Sequence, residues 1–256
     1  MVELISVHIG KTAGTTFLNV LLDIYGNNGV LKDYNSQGKK VYQQTPPETI
    51  KVIHGHFNPK KYRADFPDAK YIVWLRHPIF RLISQYFYAQ TIEDNQDGTK
   101  TLARQLGIIE FAKQPQIKNR QSRYIEGMNL NDFYFVGIQE FYLEDLDELK
   151  KMMQWENLKV TKTNLNSHPN YYKELQKIIT KPEIMNELAF LNNEDMEMYY
   201  NALNLRAQRR KESKWLQPTL AEWNRTQFIL QQMQEQLEKQ EMEIKKYQTL
   251  TAPLDK

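Results

Sequence analysis

The sequence predicts an α/β domain followed by a helical appendage, and three observations carry that expectation. Short β-prone runs, first Leu4, Ile5 and Val7, then residues 52–57, 70–75 and 133–138, are each set off by turn or loop residues. Apolar residues recur at helical spacing behind them, as Phe17, Leu18, Leu21, Leu22 and Tyr25 after the first run, and as Ile79, Leu82, Ile83, Tyr86 and Phe87 after the third. Composition then changes near residue 206, which divides the chain into a domain at 1–206 and an extension at 207–256. A chain of 256 residues, 41% hydrophobic and 25% charged, suits one globular domain plus such an extension.

The first run leads into His8-Ile9-Gly10-Lys11-Thr12-Ala13-Gly14-Thr15-Thr16-Phe17, which reads as strand, anion-binding loop and helix. Gly10 and Gly14 are expected to let the backbone approach a ligand. The loop sits at a helix N-terminus, where unpaired N–H groups and the positive end of the helix dipole gather, and Lys11 adds a full charge, so a phosphate or sulfate fits. The plainer alternative is an ordinary βα turn capped by Thr15 or Thr16.

Residues 32–47 read as a surface loop around a weak strand. The second clear run, Val52-Ile53-His54-Gly55-His56-Phe57, stops at Asn58-Pro59. That places His56 at or just past a strand's carboxyl end, where open α/β sheets collect ligands. Period two puts His54 on the same side, so the two can act as a pair. An imidazole with an ordinary pKa of about 6.5 is a suitable general base for a hydroxyl, although a strand-end histidine is also often just a hydrogen-bonded surface residue. Zinc is the competing use; no third ligand lies close by in the sequence, so no metal is expected.

The third run, residues 70–75, enters Arg76-His77-Pro78, with Pro78 in the first turn of the next helix and Ser84 about two turns along it. A guanidinium and a hydroxyl can together hold a phosphate; the alternatives are a surface ion pair for Arg76 and a small packing residue for Ser84. A Walker-type kinase or ATPase loop is the nearest competing pattern for Gly10-Lys11-Thr12. It requires glycine where this chain has Ile5, and the third strand runs into Arg76 rather than an acidic residue for magnesium.

These residues resemble the sulfotransferase family. The loop from His8 to Phe17 is similar to its 5′-phosphosulfate loop, close to the form in Golgi carbohydrate sulfotransferases, and Trp74-Leu75-Arg76-His77-Pro78 with Arg81 and Ser84 is similar to its 3′-phosphate element. His54-Gly55-His56 resembles the histidine pair of heparan sulfate 2-O-sulfotransferase, whose second histidine is taken as the catalytic base. Residues 119–124, 135–140 and the helix around 195–199 extend the resemblance over residues 2 to 206. The chain departs from the pattern at Gly10 (commonly Pro), Ala13 (commonly Gly) and His77 (commonly Asp).

The resemblance implies a P-loop-like three-layer fold, with a central, mostly parallel sheet flanked by helices. It implies 3′-phosphoadenosine 5′-phosphosulfate (PAPS) as donor without a required metal, and a hydroxyl, of a carbohydrate by the nearest likeness, as acceptor. The donor would be held by Lys11, Thr12, Ala13, Gly14, Thr15, Thr16, Phe17, Arg76 and Ser84. His56 would be the base, His54 its support, and Lys11 would also act in catalysis. A donor-binding protein without catalysis and a scaffold built on the C-terminal helix are the non-enzymatic alternatives.

Beyond Ser84, residues 102–113 and 120–125 read as helices, and Asn119, Gln121 and Arg123 are candidates to face the acceptor. Residues 143–155 form an amphipathic helix, residues 32–47 and 92–100 are expected to border the acceptor cleft, and 164–169 resemble a loop that closes on the donor. Arg209-Arg210-Lys211 and Lys214 read as a solvated basic turn. From 219 to 247, Trp223, Leu230, Leu237 and Ile244 recur at heptad spacing, the pattern of a long helix that pairs two subunits in a homodimer or folds back on its own domain.

Composition excludes several classes. Without cysteine there is no disulfide, thiolate chemistry or Cys-ligated zinc. A net charge of +3, from 34 basic and 31 acidic residues, is too small to call for nucleic acid but allows an anionic substrate met locally. No signal-peptide pattern precedes the first strand and no run is long enough to span a bilayer, so a cytoplasmic protein is expected.

Overall fold

The computed structural model describes residues 1–34, 39–42, 47–91, 99–156 and 171–212. The segments 164–169 and 219–247, and parts of 32–47 and 92–100, lie outside the described residues. Five strands form one sheet: β1 (Leu4–Val7), β2 (Val30–Asp33), β3 (Val52–Gly55), β4 (Lys70–Leu75) and β5 (Phe135–Ile138), in the order β2-β3-β1-β4-β5. Every neighbouring pair is parallel, and β1 sits in the middle with Val7 level with Gly55 on one side and Val73 on the other. The P-loop-like α/β expectation therefore holds.

Alternation along the strands sends residues to two separate cores, because successive side chains leave a strand on opposite faces. Leu4, Val52, Ile72, Trp74 and Phe135 pack on one face against α1 (Gly14–Tyr25) and α7 (Tyr142–Met153), through Phe17, Val20, Leu21, Leu146 and Leu149. Ile5, Val7, Ile53, Tyr71, Val73 and Leu75 pack on the other. That face is covered by α3 (Pro78–Thr91), α5 (Ile108–Ala112), α9 (Pro182–Leu191) and α10 (Asn193–Glu212). The remaining helices are α2 (Lys60–Arg63), α4 (Thr99–Gln105), α6 (Arg120–Tyr124) and α8 (Tyr171–Ile179). The result is helix, sheet, helix, as parallel strands buried on both faces require.

Four sequence expectations need correction. The weak strand begins earlier than the 32–47 loop, at Val30, and its last residue, Asp33, is fully buried where it pairs with Lys61 and accepts a hydrogen bond from the Tyr62 hydroxyl at 2.6 Å. The helix expected over 102–113 is two helices, α4 and α5, parted at Gly107, whose extended backbone precedes α5. Asn119 and Gln121, expected as candidates to face the acceptor, are buried and tie elements together, Asn119 N–H donating to Asn192 Oδ1 at 3.1 Å.

The fourth concerns the basic turn. Arg209, Arg210 and Lys211 belong to α10, which runs through position 206 to Glu212 without a break. Arg206 Nε donates to Asp145 Oδ1 at 2.6 Å and Arg209 Nε to Glu148 Oε1 at 2.6 Å, with Arg206 2% and Arg210 5% exposed. These arginines bind α10 to α7 rather than facing water. Among the described residues no helix is long and apolar enough to cross a membrane.

Candidate active site

Of the three central strands β1 and β3 end level and β4 runs two residues further, to Leu75, and each delivers one part of the site from its carboxyl end. Beyond β1, the loop leading to α1 holds Lys11 and Ala13 in left-handed backbone, φ 71° and 70°. Left-handed residues interleaved in a short loop turn its N–H groups toward a common concavity suited to an anion. Ala13, the residue that precedes the helix, makes no side-chain cap to its N–H groups.

Glycine does different work here than the sequence suggests. A Cβ at Gly10 would meet no atom within 4 Å, whereas one at Gly14 would lie 1.8 Å from Cδ2 of His8. Gly14 makes room for the His8 ring. Two other expected ligand contacts also turn inward. The Thr12 hydroxyl is buried and donates to the Ile9 carbonyl at 2.8 Å, closing the loop from within, and Phe17 is fully buried beside Trp74, their ring centroids 5.5 Å apart. Thr15 is exposed and Thr16 buried at the first turn of α1.

Beyond β3, His56 N–H donates to the Asp33 carbonyl at 2.8 Å, and its ring Nδ1 lies 2.5 Å from the His8 carbonyl oxygen. A carbonyl can only accept, so Nδ1 carries the proton and the neutral ring keeps its lone pair on Nε2. Burial pushes the His56 pKa below its ordinary value and Arg120 adds to this, while the bond to His8 and the charge of Asp33 oppose it. The ring is therefore neutral at neutral pH.

His54 is held in the interior. It is 1% exposed, its Nδ1 is 2.8 Å from the Ser6 hydroxyl, and burial together with His56 holds its pKa down at about 3. The His8 ring lies between the pair, 5.2 Å from His54 and 4.4 Å from His56. Tyr34 completes the cluster, its hydroxyl 3.1 Å from His8 Nδ1. The imidazoles stack rather than converge, and among the described residues no group of three or more His, Asp or Glu side chains could hold a metal ion.

Beyond β4, Arg76 reaches back to the loop: its Nη1 donates to the Lys11 carbonyl at 3.3 Å. Its own backbone is clamped by Gln121, which accepts from Arg76 N–H at 2.9 Å and donates to Arg76 C=O at 2.9 Å. Gln121 is held in turn by Asp195, whose carboxylate accepts from the N–H groups of Gln121 at 3.0 Å and Ser122 at 2.7 Å. His77 N–H donates to Glu140 Oε1 at 3.0 Å, and Glu140 also accepts from the Tyr199 hydroxyl at 2.9 Å. Ser84 lies buried on α3.

Positive charge accumulates around this rim. Burial, reinforced by Arg76, lowers the Lys11 pKa to about 8. Arg81, fully buried, donates to Gln85 at 2.6 Å, and burial pulls its pKa to about 10. The sequence reading singled out Lys11, His56, Arg76 and Ser84. It gave Gln121 a different part, facing the acceptor, assigned no individual role to His8 or Asp195, and passed over Tyr88, although Tyr88 stands one helical turn past Ser84. Two surface hollows of about 660 and 970 Å³ lie elsewhere, along α10.

The model of the sulfotransferase family matches residues 2–201 of the chain. No curated protein matches it. Among solved structures, it is similar to a sulfotransferase from Alicyclobacillus acidocaldarius at 14% identity and TM-score 0.39, over 74% of this chain and 94% of that one. It is also similar to mouse sulfotransferase SULT7A1 complexed with PAP, at 13% identity and TM-score 0.37, over 72% of this chain and 65% of that one.

Proposed function

We propose, from the premise that the chain belongs to the sulfotransferase family, that it moves a sulfuryl group from 3′-phosphoadenosine 5′-phosphosulfate to a hydroxyl of a carbohydrate, with His56 as general base. One observation carries the reading. The loop between β1 and α1 is gripped at its start and at its middle by side chains from the two neighbouring strand ends, His56 on the His8 carbonyl at 2.5 Å and Arg76 on the Lys11 carbonyl at 3.3 Å. A base and a phosphate-binding guanidinium thus flank one anion-binding loop.

In this reading the loop N–H groups and Lys11 bind the phosphosulfate, while Arg76 and Ser84 hold the 3′-phosphate. The acceptor oxygen attacks sulfur in line with the bond to the bridging phosphate oxygen. As the new S–O bond forms and the old one breaks, the hydroxyl proton passes to His56 Nε2 and the electron pair leaves on the phosphate of adenosine 3′,5′-bisphosphate. Lys11 neutralises charge that develops on that oxygen, which is help of the kind present mainly in the transition state. Positioning of the two substrates supplies much of the rest.

The test is transfer of radiolabelled sulfate from the donor to a panel of sugars, lipids and small alcohols. Label on sugars is expected. Label only on lipids or small alcohols would retain the transfer and overturn the carbohydrate acceptor, and no label on any hydroxyl would overturn the reaction.

A further inference from the structure

Tyr88 has no part in the reaction just described, yet it touches its central lysine. It lies on α3 four residues past Ser84 and seven past Arg81, a spacing that puts all three on one side of the helix. The Lys11 ammonium sits over the Tyr88 ring, 3.8 Å from its centroid. That is well inside the roughly 6 Å over which an aromatic face attracts a cation. Tyr88 is 39% exposed, so core packing does not account for so large an aromatic at this position.

The surroundings of Lys11 make the ring matter. Among the described residues no carboxylate lies within ion-pairing distance of it. The charged or titratable groups that face it are Arg76 at the end of β4 and His8 on its own loop. Neither favours an ammonium. The tyrosine face is the group that does.

We propose that Tyr88 is a positioning residue for Lys11, whose ring face keeps the ammonium charged and directed at the anion-binding loop before the donor binds. The assignment rests on the reading of Lys11 as a donor-binding group, and it identifies what holds that group. Burial and Arg76 bring the lysine's pKa down to about 8, and the negative face of the ring works against both.

The first measurement needs no donor. The lysines of the whole protein are reductively methylated with ¹³C, the Lys11 signal is assigned by its loss in Lys11→Arg, and its titration is followed by NMR. Tyr88→Leu is expected to move the Lys11 midpoint down by about half a pH unit or more, and Tyr88→Phe, which keeps the ring, to leave it in place. The second measurement is binding of adenosine 3′,5′-bisphosphate. Tyr88→Leu should weaken it about threefold to tenfold at pH 8.5, where Lys11 is losing its proton, and less than about twofold at pH 6.5, with Tyr88→Phe tracking the parent at both.

An unmoved Lys11 midpoint in Tyr88→Leu, or Tyr88→Phe behaving like Tyr88→Leu, overturns the role of Tyr88. A parent protein that fails to bind the nucleotide at either pH, while the midpoint moves as expected, overturns the donor reading and upholds the hold of Tyr88 on Lys11.

Discussion

Two clusters of arginines in this molecule are treated in opposite ways. On α10, Arg206 and Arg209 each meet a carboxylate at 2.6 Å, Asp145 and Glu148, and Arg210 Nη1 lies 3.6 Å from Glu148. At the strand ends, Arg76 and Arg81 are given neutral acceptors, the Lys11 carbonyl and the Gln85 amide oxygen. No carboxylate of the described residues lies within ion-pairing distance of either. A buried guanidinium with a carboxylate has its charge cancelled and serves as a fastener. Glu140 and Asp195 act on Arg76 and Arg81 only from beyond ion-pairing distance, so more of their charge is left uncancelled, and with Lys11 beside Arg76 it favours a phosphate or sulfate over a neutral guest.

The largest expected effect separates the clusters by what each loses. Arg206→Ala strips the buried Asp145 of its closest partner, and breaking such a pair costs about 3–5 kcal/mol of unfolding free energy, read from urea denaturation. Affinity for adenosine 3′,5′-bisphosphate should stay within about twofold. Arg76→Ala is expected to do the reverse. Gln121 grips its backbone and is indifferent to the side chain, so stability should change by less than about 1 kcal/mol while nucleotide affinity falls about tenfold to a hundredfold. Equal destabilisation by the two substitutions would show that the strand-end arginine is a fastener too.

Within the strand-end cluster, His56 differs from its cationic neighbours because it is held neutral. His56→Ala should lower turnover by about a hundredfold or more and leave binding of the bisphosphate nearly intact. The pH profile sharpens this. A base whose pKa is pushed down by burial loses function only when protonated, so the acidic limb of kcat/KM should lie below the pH at which an ordinary imidazole titrates. Rate and pH profile are read from sulfate transfer. Nucleotide affinity that collapses in His56→Ala, or an acidic limb above 6.5, would contradict the assignment.

The contrast also explains what a sequence can reveal. Lys11, His56 and Arg76 stand out because a strand-ending run followed by a residue of marked chemistry is a local pattern, and the parallel sheet brings those ends to the same edge. The residues that hold Arg76 are remote in sequence, and no local pattern assigns them that part. Gln121 clamps Arg76 from 45 residues away, and Asp195 fixes Gln121 from 74. The α10 arginines were readable in part. Met196, Tyr199 and Leu203 form a buried stripe at spacings of three and four, and Arg206 and Arg210 extend that same stripe. A charge on the apolar face of a helix points to a buried partner, not to a solvated turn. The break at Gly107 was legible as well, since glycine weakens a helix interior. No spacing rule could assign Gly14 to the His8 ring, because that contact depends on how the loop folds back.

The smallest expected effect concerns the loop that both neighbours grip. Ala13 holds left-handed backbone at φ 70°, which burdens a residue with a Cβ by about 1–2 kcal/mol, whereas glycine adopts it freely. Glycine also gives the unfolded chain more freedom, which offsets about 0.5–1 kcal/mol of that gain. Ala13→Gly should therefore stabilise the protein by about 1 kcal/mol or less in urea denaturation, with nucleotide affinity unchanged if the loop keeps its path. A loss of stability would mean that the Ala13 methyl makes packing contacts worth more than the relief of its backbone. A gain accompanied by weaker nucleotide binding would mean that the methyl, and not only the grips of His56 and Arg76, keeps the N–H groups of the loop directed at the anion.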